Sequence, residues 1–556
     1  MIIDMKTLFI TIIFIALCSM VSSQNRVRNI SKIGPSTEHV EKNNYAEIFY
    51  ISQSNGYDEK GNGSRENPWK TIINAFNKVN NESENHVIAF FIAEGIYSGS
   101  TIEMRQFIDL FGGFDSKTWE RDIYRNSTIL DGKHKHRVVL GADNSRIDGF
   151  TITNGFADSD GGGILCDDTA PVISNCFIVN NFADKPDNFN DTRIHQQGNN
   201  GGGVACLYNA TPEIKNNLFY NNKTSIGDGG ALSFYGWVRK RHGTDRRIEN
   251  NFMVGYVRPV VQNNVFVENI SGVDDSNRTR SSNGGAISCS NEARPIIENN
   301  IIASNRAKGN SDAGGIYAEY FSYPTIKGNW IVGNISDDDG GGIYIMRQSH
   351  ALITDNFIAG NSTVGKGVGG IRLSKEGRAS IMNNIIVNNL TGGAVQCVDS
   401  YMEMKNNIVF HNKGKVTVQY KQHFDYFKPS EIVDNVIRKN EGNVFSSNSE
   451  VSFEENNVDQ NVANHLNTNL EVKFTDQTIT GKIVNINFDK KKFQSIIEIE
   501  KKPDQKSLVG RVIRIDDFWS VINNVDNNKL YIWGNAEKRA LRNTDFKILS
   551  EYRIKK

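Results

Sequence analysis

The densest group of side chains able to do chemistry lies in WVRKRHGTDRRIENNFMVGYVR, residues 237–258. Arg239, Lys240, Arg241, Arg246, Arg247 and Arg258 are opposed there only by Asp245 and Glu249, although the whole chain balances 63 Lys+Arg against 63 Asp+Glu. A local cationic excess in a neutral chain points to an acidic ligand met at one place. Guanidinium groups suit carboxylate or sulfate. His242 and Tyr256 share the segment. A cation that neutralises a carboxylate, beside a base and a proton donor, is what removal of a weakly acidic C–H proton requires. On this reading His242, Tyr235, Tyr317 and Arg241 are the catalytic candidates. Arg239, Arg246, Arg247, Tyr344, Arg372, Glu319 and His195 are the candidates for binding substrate. The bland reading of the same charges is a solvated surface.

These residues need a scaffold, and composition narrows the choice. The chain has 556 residues, with 49 Gly, only 10 Pro, 30 Phe and 18 Tyr. That length calls for several domains or one elongated repeat array. The aromatic content and zero net charge exclude a disordered chain, and the scarcity of Pro excludes collagen. No global field favours nucleic acid.

Lys6, the apolar run Leu8 to Leu17 and the small residues up to Ser23 form an expected export signal at 1–23. The apolar run is about half the length a membrane span needs. The mature protein is therefore expected to be secreted or periplasmic, without a membrane span and as a monomer. Cys166, Cys176, Cys206, Cys289 and Cys397 are odd in number and lack CxxC spacing, so they read as small buried fillers.

Internal repetition decides the architecture. PEIKNNLFYNN (212–222), PVVQNNVFVEN (259–269), PIIENNIIASN (295–305), PTIKGNWIVGN (324–334) and ALITDNFIAGN (351–361) belong to one series of eight that runs from 171 to 412. Gly-rich turns with short strands precede them, among them NGGGVACLY (200–208), AGGIYAEY (313–320) and DGGGIYIMR (339–347). Two Asn columns emerge. The first is Asn217, Asn264, Asn300, Asn329, Asn356, Asn384 and Asn407, headed by Cys176. The second is Asn181, Asn222, Asn269, Asn305, Asn334, Asn361, Asn389 and Asn412. Stacked coils would set each Asn above the last, satisfying turn backbone groups and one another.

The shortest spacings, about 23 to 29 residues, match one turn of a right-handed parallel β-helix, whereas a leucine-rich repeat would need a Leu lattice. The residues resemble the pectate-lyase-like superfamily of parallel β-helices. FYISQSNGYDEKGNGSRENPWKTIINAFNKV (49–79) looks like its opening strand and capping helix, and LFGGFDSKTWERDIYRNSTILDG (110–132) like a first coil. The resemblance implies an all-β chain: signal peptide 1–23, β-helix 24–442, and a small β-rich domain 443–556 expected to cap the open end. It covers about residues 45–440, and the fold alone does not fix an activity.

Three insertions, at 182–198, 237–258 and 270–282, fall in consecutive coils and would raise walls beside the outer face of the Gly-Gly strands. Strand alternation places Leu165 and Asp167, Leu232 and Phe234, Tyr317 and Glu319, Tyr344 and Met346, and Arg372 and Ser374 outward. Exposed Tyr317 and Tyr344 with Arg372 would form a sugar-binding strip. The expected function is a lyase cutting an acidic, uronate-containing polysaccharide by β-elimination. The alternatives are a non-catalytic carbohydrate-binding protein or a hydrolase or epimerase on the same fold. Asp167–Asp168 stands without the companion motifs of the polygalacturonase-type hydrolases, and no Lys-plus-Arg pair of the alginate- and dermatan-lyase type can be placed. The Asp-rich turn 337–339 could take Ca²⁺; no other cofactor is expected.

Overall fold

A computed structural model describes residues 30–184, 199–236, 256–273, 282–424, 429–458, 478–501, 508–539 and 544–550. The repeats wind into coils whose strands stack in parallel. Sheet 1 has fourteen strands, from Glu47–Ile51 to Val451–Glu454, and sheet 2 has thirteen, from Gly95–Tyr97 to Asn457–Val458. Sheet 3 is seven two-residue strands from Phe156–Ala157 to Ser362–Thr363. Sheet 4 is the twelve strands of the Gly-Gly series, from Ile102–Glu103 to Asn443–Ser447. One coil reads Thr325–Lys327, Trp330–Val332, Ile335–Ser336 and Ile343–Met346, visiting the four sheets in turn.

Apolar residues point inward and stack like on like. Ile297, Ile326, Ile353 and Ile381 form one file, and Ile302, Ile331, Ile358 and Ile386 another, all fully buried. β-branched side chains fit this pleated surface, and each coil covers the one before it. The five described cysteines are free and buried in the same core.

The corners explain the paired Asn. The first of each pair takes the left-handed conformation, as at Asn216 (φ 54), Asn263 (φ 57), Asn299 (φ 57) and Asn406 (φ 56), which Asn tolerates better than most residues. The second turns inward. Asn305 donates its backbone N–H (3.1 Å) and its Nδ2 (2.9 Å) to Asn334 Oδ1. Asn334 does the same to Asn361 Oδ1, and its Nδ2 also donates to Ile302 O at 2.9 Å. Both ladders run past the sequence columns, through Asn435 and Asn456 in one and Asn440 in the other.

The ends are closed differently. Thr71 Oγ1 accepts from Asn74 N–H and caps the helix Ile72–Lys78, which buries Ile72, Ala75 and Phe76 on the first coils, as the opening segment suggested. At the other end the coils outlast the expected boundary at 442. Ser430–Val433 pairs with Val451–Glu454, and Val436–Arg438 with Asn457–Val458. Beyond them, six antiparallel strands between Ile479 and Ile548 close a small barrel.

This barrel does not cap the stack. It lies along the outer face of sheet 2, sharing a core with Phe177, Tyr220, Val267 and Val332. Trp519 makes the closest approach, where a Cβ on Gly333 would come within 2.2 Å of it and one on Gly360 within 2.5 Å. Ser304 Oγ donates to Trp519 O at 2.9 Å, and Trp330 Nε1 to Gly510 O at 3.2 Å. Sheet 2 is thus covered, while the outer face of sheet 4 carries a cleft.

Removing one ladder rung tests this account. Asn334→Ala orphans the Asn305 N–H and the Ile302 carbonyl, at about 1–3 kcal/mol per buried group. Unfolding in urea should show a loss on the order of 3 kcal/mol. Asn299→Gly, at a left-handed position outside the ladder, should cost less than about 1 kcal/mol. Equal losses would mean that the ladder does not hold the coils together.

Candidate active site

Register on sheet 4 fixes which side chains face out. Ile164, Val204, Leu232, Ile287, Ile316, Ile343 and Ile371 are aligned and point inward. Leu232 and Phe234 are therefore core residues, contrary to the expectation from sequence. Ala231 stands where neighbouring coils have the last corner Gly (Gly163, Gly203) and so belongs to the turn, not the strand; Leu232 is the first inward residue, and Ser233 and Tyr235 face outward. The outer file reads Leu165, Ala205, Ser233, Ser288, Tyr317, Tyr344, Arg372, Gln396.

Tyr317, Tyr344 and Arg372 do come together, lining a cleft of about 340 Å³ with Asp312, Asp339 and Arg347. They do not form an exposed stacking strip, because Tyr317 is 1% and Tyr344 2% exposed. The two rings meet edge to face at 6.0 Å and pack on Met346 and Ala313. Tyr317 Oη donates to Glu319 Oε2 at 2.9 Å, and Arg347 Nη1 holds the same oxygen at 2.6 Å. Tyr344 Oη lies 2.5 Å from Ser374 Oγ. Burial pushes the Tyr344 phenol up to about 12, with the Asp312 charge adding to the shift. Burial and the Glu319 charge raise Tyr317 well above its ordinary range. Both phenols are proton donors at neutral pH, so of the two roles open to Tyr317, base or acid, only the acid fits. Tyr235 stands two coils away, in the file of Ser290 and Glu319. Arg239, Arg241, His242, Arg246, Arg247 and His195, with most of the three insertions, lie outside the described residues.

The Gly-Gly corner carries a third ladder that composition alone does not reveal. Asn200 N–H donates to Asp160 Oδ1 (2.9 Å), Asp228 to Asn200 (2.8 Å), Asn283 to Asp228 (2.6 Å), Asp312 to Asn283 (2.9 Å) and Asp339 to Asp312 (3.2 Å). Asp and Asn alternate up to Asp312, which keeps carboxylates two coils, roughly 10 Å, apart. The alternation breaks at Asp339, where two carboxylates are adjacent and Asp338 makes a third. Burial, followed by the charges of Asp339 and Asp338, pushes Asp312 up to about 8. Arg372 Nη2, 3.1 Å from Asp339 Oδ2, opposes the upward shift that burial imposes on Asp339. Arg372 also donates to Gln396. Ala313, next in the chain, is left-handed (φ 55) where neighbouring coils have Gly284 and Gly340. An Ala in that conformation costs about 1 kcal/mol, and its methyl packs under the two tyrosines.

One oxygen each from Asp312, Asp338 and Asp339 lies within 4.8 Å of the others. The turn considered for Ca²⁺ therefore contributes two carboxylates and a neighbouring coil the third. Such an all-oxygen set suits a hard cation and not copper, and Arg372 already neutralises part of its charge.

With this geometry in view, two family models match. One, described as "Periplasmic copper-binding protein (NosD)", covers residues 238–396, and the other, "Right handed beta helix region", covers 334–479. The chain is a right-handed parallel β-helix protein. Among solved structures it is similar to the periplasmic alginate epimerase AlgG, at 12% identity and a TM-score of 0.35, over 67% of this chain and 76% of that one. It is also similar to the GH136 lacto-N-biosidase from Eubacterium ramulus, at 11% identity and a TM-score of 0.30, over 75% and 68%. No curated protein matches. Among the described residues no helix is long and apolar enough to cross a membrane.

The third ladder yields its own test. Between about pH 3.8, the ordinary Asp value, and about 8, folded Asp312 keeps a proton that the unfolded chain releases. Stability from this group is full below that window and is lost as pH rises through it. Asp312→Asn preserves the ladder, as Asn200 and Asn283 do, and removes the titration. Its thermal stability relative to wild type should rise steadily across that window. A margin independent of pH would show that Asp312 titrates as an ordinary carboxyl.

Proposed function

We propose that this chain is a polysaccharide lyase that cuts an anionic, uronate-containing chain by β-elimination in the cleft on sheet 4. The observation that carries the reading is the cluster of Asp312, Asp338 and Asp339 in a cleft also lined by Arg347, Arg372 and Lys375, where burial pushes the Asp312 carboxyl up to about 8. In elimination the C5 proton leaves to a base, the C4–C5 double bond forms, the C4–O bond breaks, and the leaving oxygen takes a proton. Asp312 supplies that last proton, and Asp338, which lines the cleft, accepts the first. Arg372 and Lys375 neutralise the sugar carboxylate, so the C5 proton becomes acidic enough to remove. Tyr317, Tyr344 and the Glu319–Arg347 pair hold the floor of the cleft. Arg239, Arg241, Arg246 and Arg247 of the insertion would add carboxylate contacts in this reading. The export signal expected at 1–23 would bring the protein to where such polymers are found.

A hydrolase would need two carboxyl groups bracketing the glycosidic bond, about 5–5.5 Å apart when retaining and about 6.5–9.5 Å when inverting. The clustered oxygens of Asp312, Asp338 and Asp339 lie within 4.8 Å of one another, far short of the inverting spacing and near the retaining one, so the products separate elimination from hydrolysis. An epimerase shares the abstraction step and differs in forming no double bond.

Purified protein, given a panel of uronate polymers with and without calcium, should release unsaturated ends from at least one of them. Asp312→Asn should lower that rate by about a hundredfold or more. Because Asp312 must be protonated to act, wild-type turnover should fall as pH rises above about 8. Shortened chains without unsaturation would sink the lyase reading, and so would intact chains from every polymer.

A further inference from the structure

A second surface lies around the corner from the cleft, where sheet 4 hands the chain to sheet 1. Each coil there places one outward side chain, and the successive residues are Arg258, Arg294, Tyr323, His350, Arg378 and Tyr401. Backbone bonds hold them in register: Arg294 N–H to Val257 O (2.8 Å), Tyr323 to Ala293 (2.8 Å), His350 to Ser322 (2.9 Å), Arg378 to Ser349 (2.8 Å) and Tyr401 to Gly377 (3.1 Å). The file is straight and advances by about 4.8 Å per residue, the spacing of neighbouring strands.

Its chemistry is uniform. The Arg294 guanidinium lies between two rings, 4.1 Å from the Tyr256 centroid and 4.9 Å from that of Tyr323, and Arg258 stacks on Tyr256 at 4.9 Å. Stacking of this kind fixes a guanidinium plane and leaves N–H groups at its edge. Burial, with Arg378 beside it, lowers His350 below its ordinary range, so it presents a neutral ring at neutral pH. In and beside the file, four large apolar side chains are open to solvent: Tyr323 (42%) within it, and Ile296 (43%), Leu352 (40%) and Phe321 (39%) next to it. They are four of the ten large exposed apolar residues described. Glu292, 3.1 Å from Arg294, is the one acid paired with the file among the described residues.

We propose that this file is a second, non-catalytic binding rail for an acidic polysaccharide. Cations and flat rings repeated at every coil suit a linear polymer of sugar rings bearing carboxylate or sulfate. An extended polysaccharide advances per sugar by nearly the same distance as one coil. The rail would hold a chain beside the cleft without touching the reacting atoms. It shares the polymer class of the proposed lyase but does not depend on turnover.

The test uses the full chain, with Arg258→Ala/Arg378→Ala and Tyr323→Ala as variants. Affinity electrophoresis through pectate, alginate and sulfated glycosaminoglycan gels reads binding, and release of unsaturated ends from a short uronate oligosaccharide reads chemistry. Each variant should weaken retardation by about tenfold or more in the gel that retards wild type. Oligosaccharide turnover and thermal stability should remain at wild-type levels, since exposed charges contribute little to folding. If no polymer is turned over but the variants still lose retardation, the rail stands and the lyase reading falls. If the variants are retarded like wild type, or if no gel retards wild type, the rail is wrong. Sedimentation of wild type with phosphatidylglycerol vesicles, without retardation by any polymer, would overturn it in favour of a lipid surface.

Discussion

A buried carboxamide must find partners for two N–H bonds and a carbonyl oxygen, and inside this protein the nearest partner of the right shape is another carboxamide one coil away. That constraint shapes the molecule. Because Asn334 accepts twice from Asn305 and donates to both Asn361 and a core carbonyl, each coil is set in register against the next. Register then sets the parity of every strand and decides which side chains reach the surface. An unsatisfied amide would cost more than most single apolar contacts provide, so coils can vary in length between corners but hardly at them.

The third ladder follows the same geometry with a different payload. Asp160, Asn200, Asp228 and Asn283 keep carboxylates apart by alternation, and the rule fails where Asp312 meets Asp339. Two acids that the backbone holds one coil apart cannot both ionise freely in a half-buried site. Arg372 opposes the shift at Asp339 and the burden falls on Asp312. Burial is the larger cause, since it also raises Asp160 and Asp228 where the alternation is intact; at Asp312 the adjacent charges add to it, and left-handed Ala313 adds backbone strain at the same corner. Strain and perturbed acidity collected at one place are typical of functional sites.

Much of the scaffold was legible because the repeated Asn and Gly are local requirements of the corners. The last rungs, Asn435, Asn440 and Asn456, escaped notice where EIVDNVIRKN loses the flanking Gly-Gly strand that made earlier units recognisable. The barrel was readable as strands. Its berth was not, since it depends on Gly333 and Gly360 leaving room for Trp519, which is far away in sequence. At the site, Tyr317, Tyr344 and Arg372 were found from alternation. The slip at Leu232 came from counting Ala231 as the first strand residue, when it fills the place of the corner's third Gly; a shift of one residue reverses parity. Asp312 carried no signal by itself, because its character comes from neighbours in other coils. The Asp/Asn column could have been found by aligning the residues before each Gly-Gly pair.

The central claim is that burial, with the adjacent charges of Asp339 and Asp338, keeps Asp312 protonated near neutral pH. Neutron diffraction from deuterium-exchanged crystals grown near neutral pH would locate the hydrogen directly. The account predicts a deuteron on the Asp312 carboxyl. A bare carboxylate at Asp312, with or without a cation beside it, would contradict it.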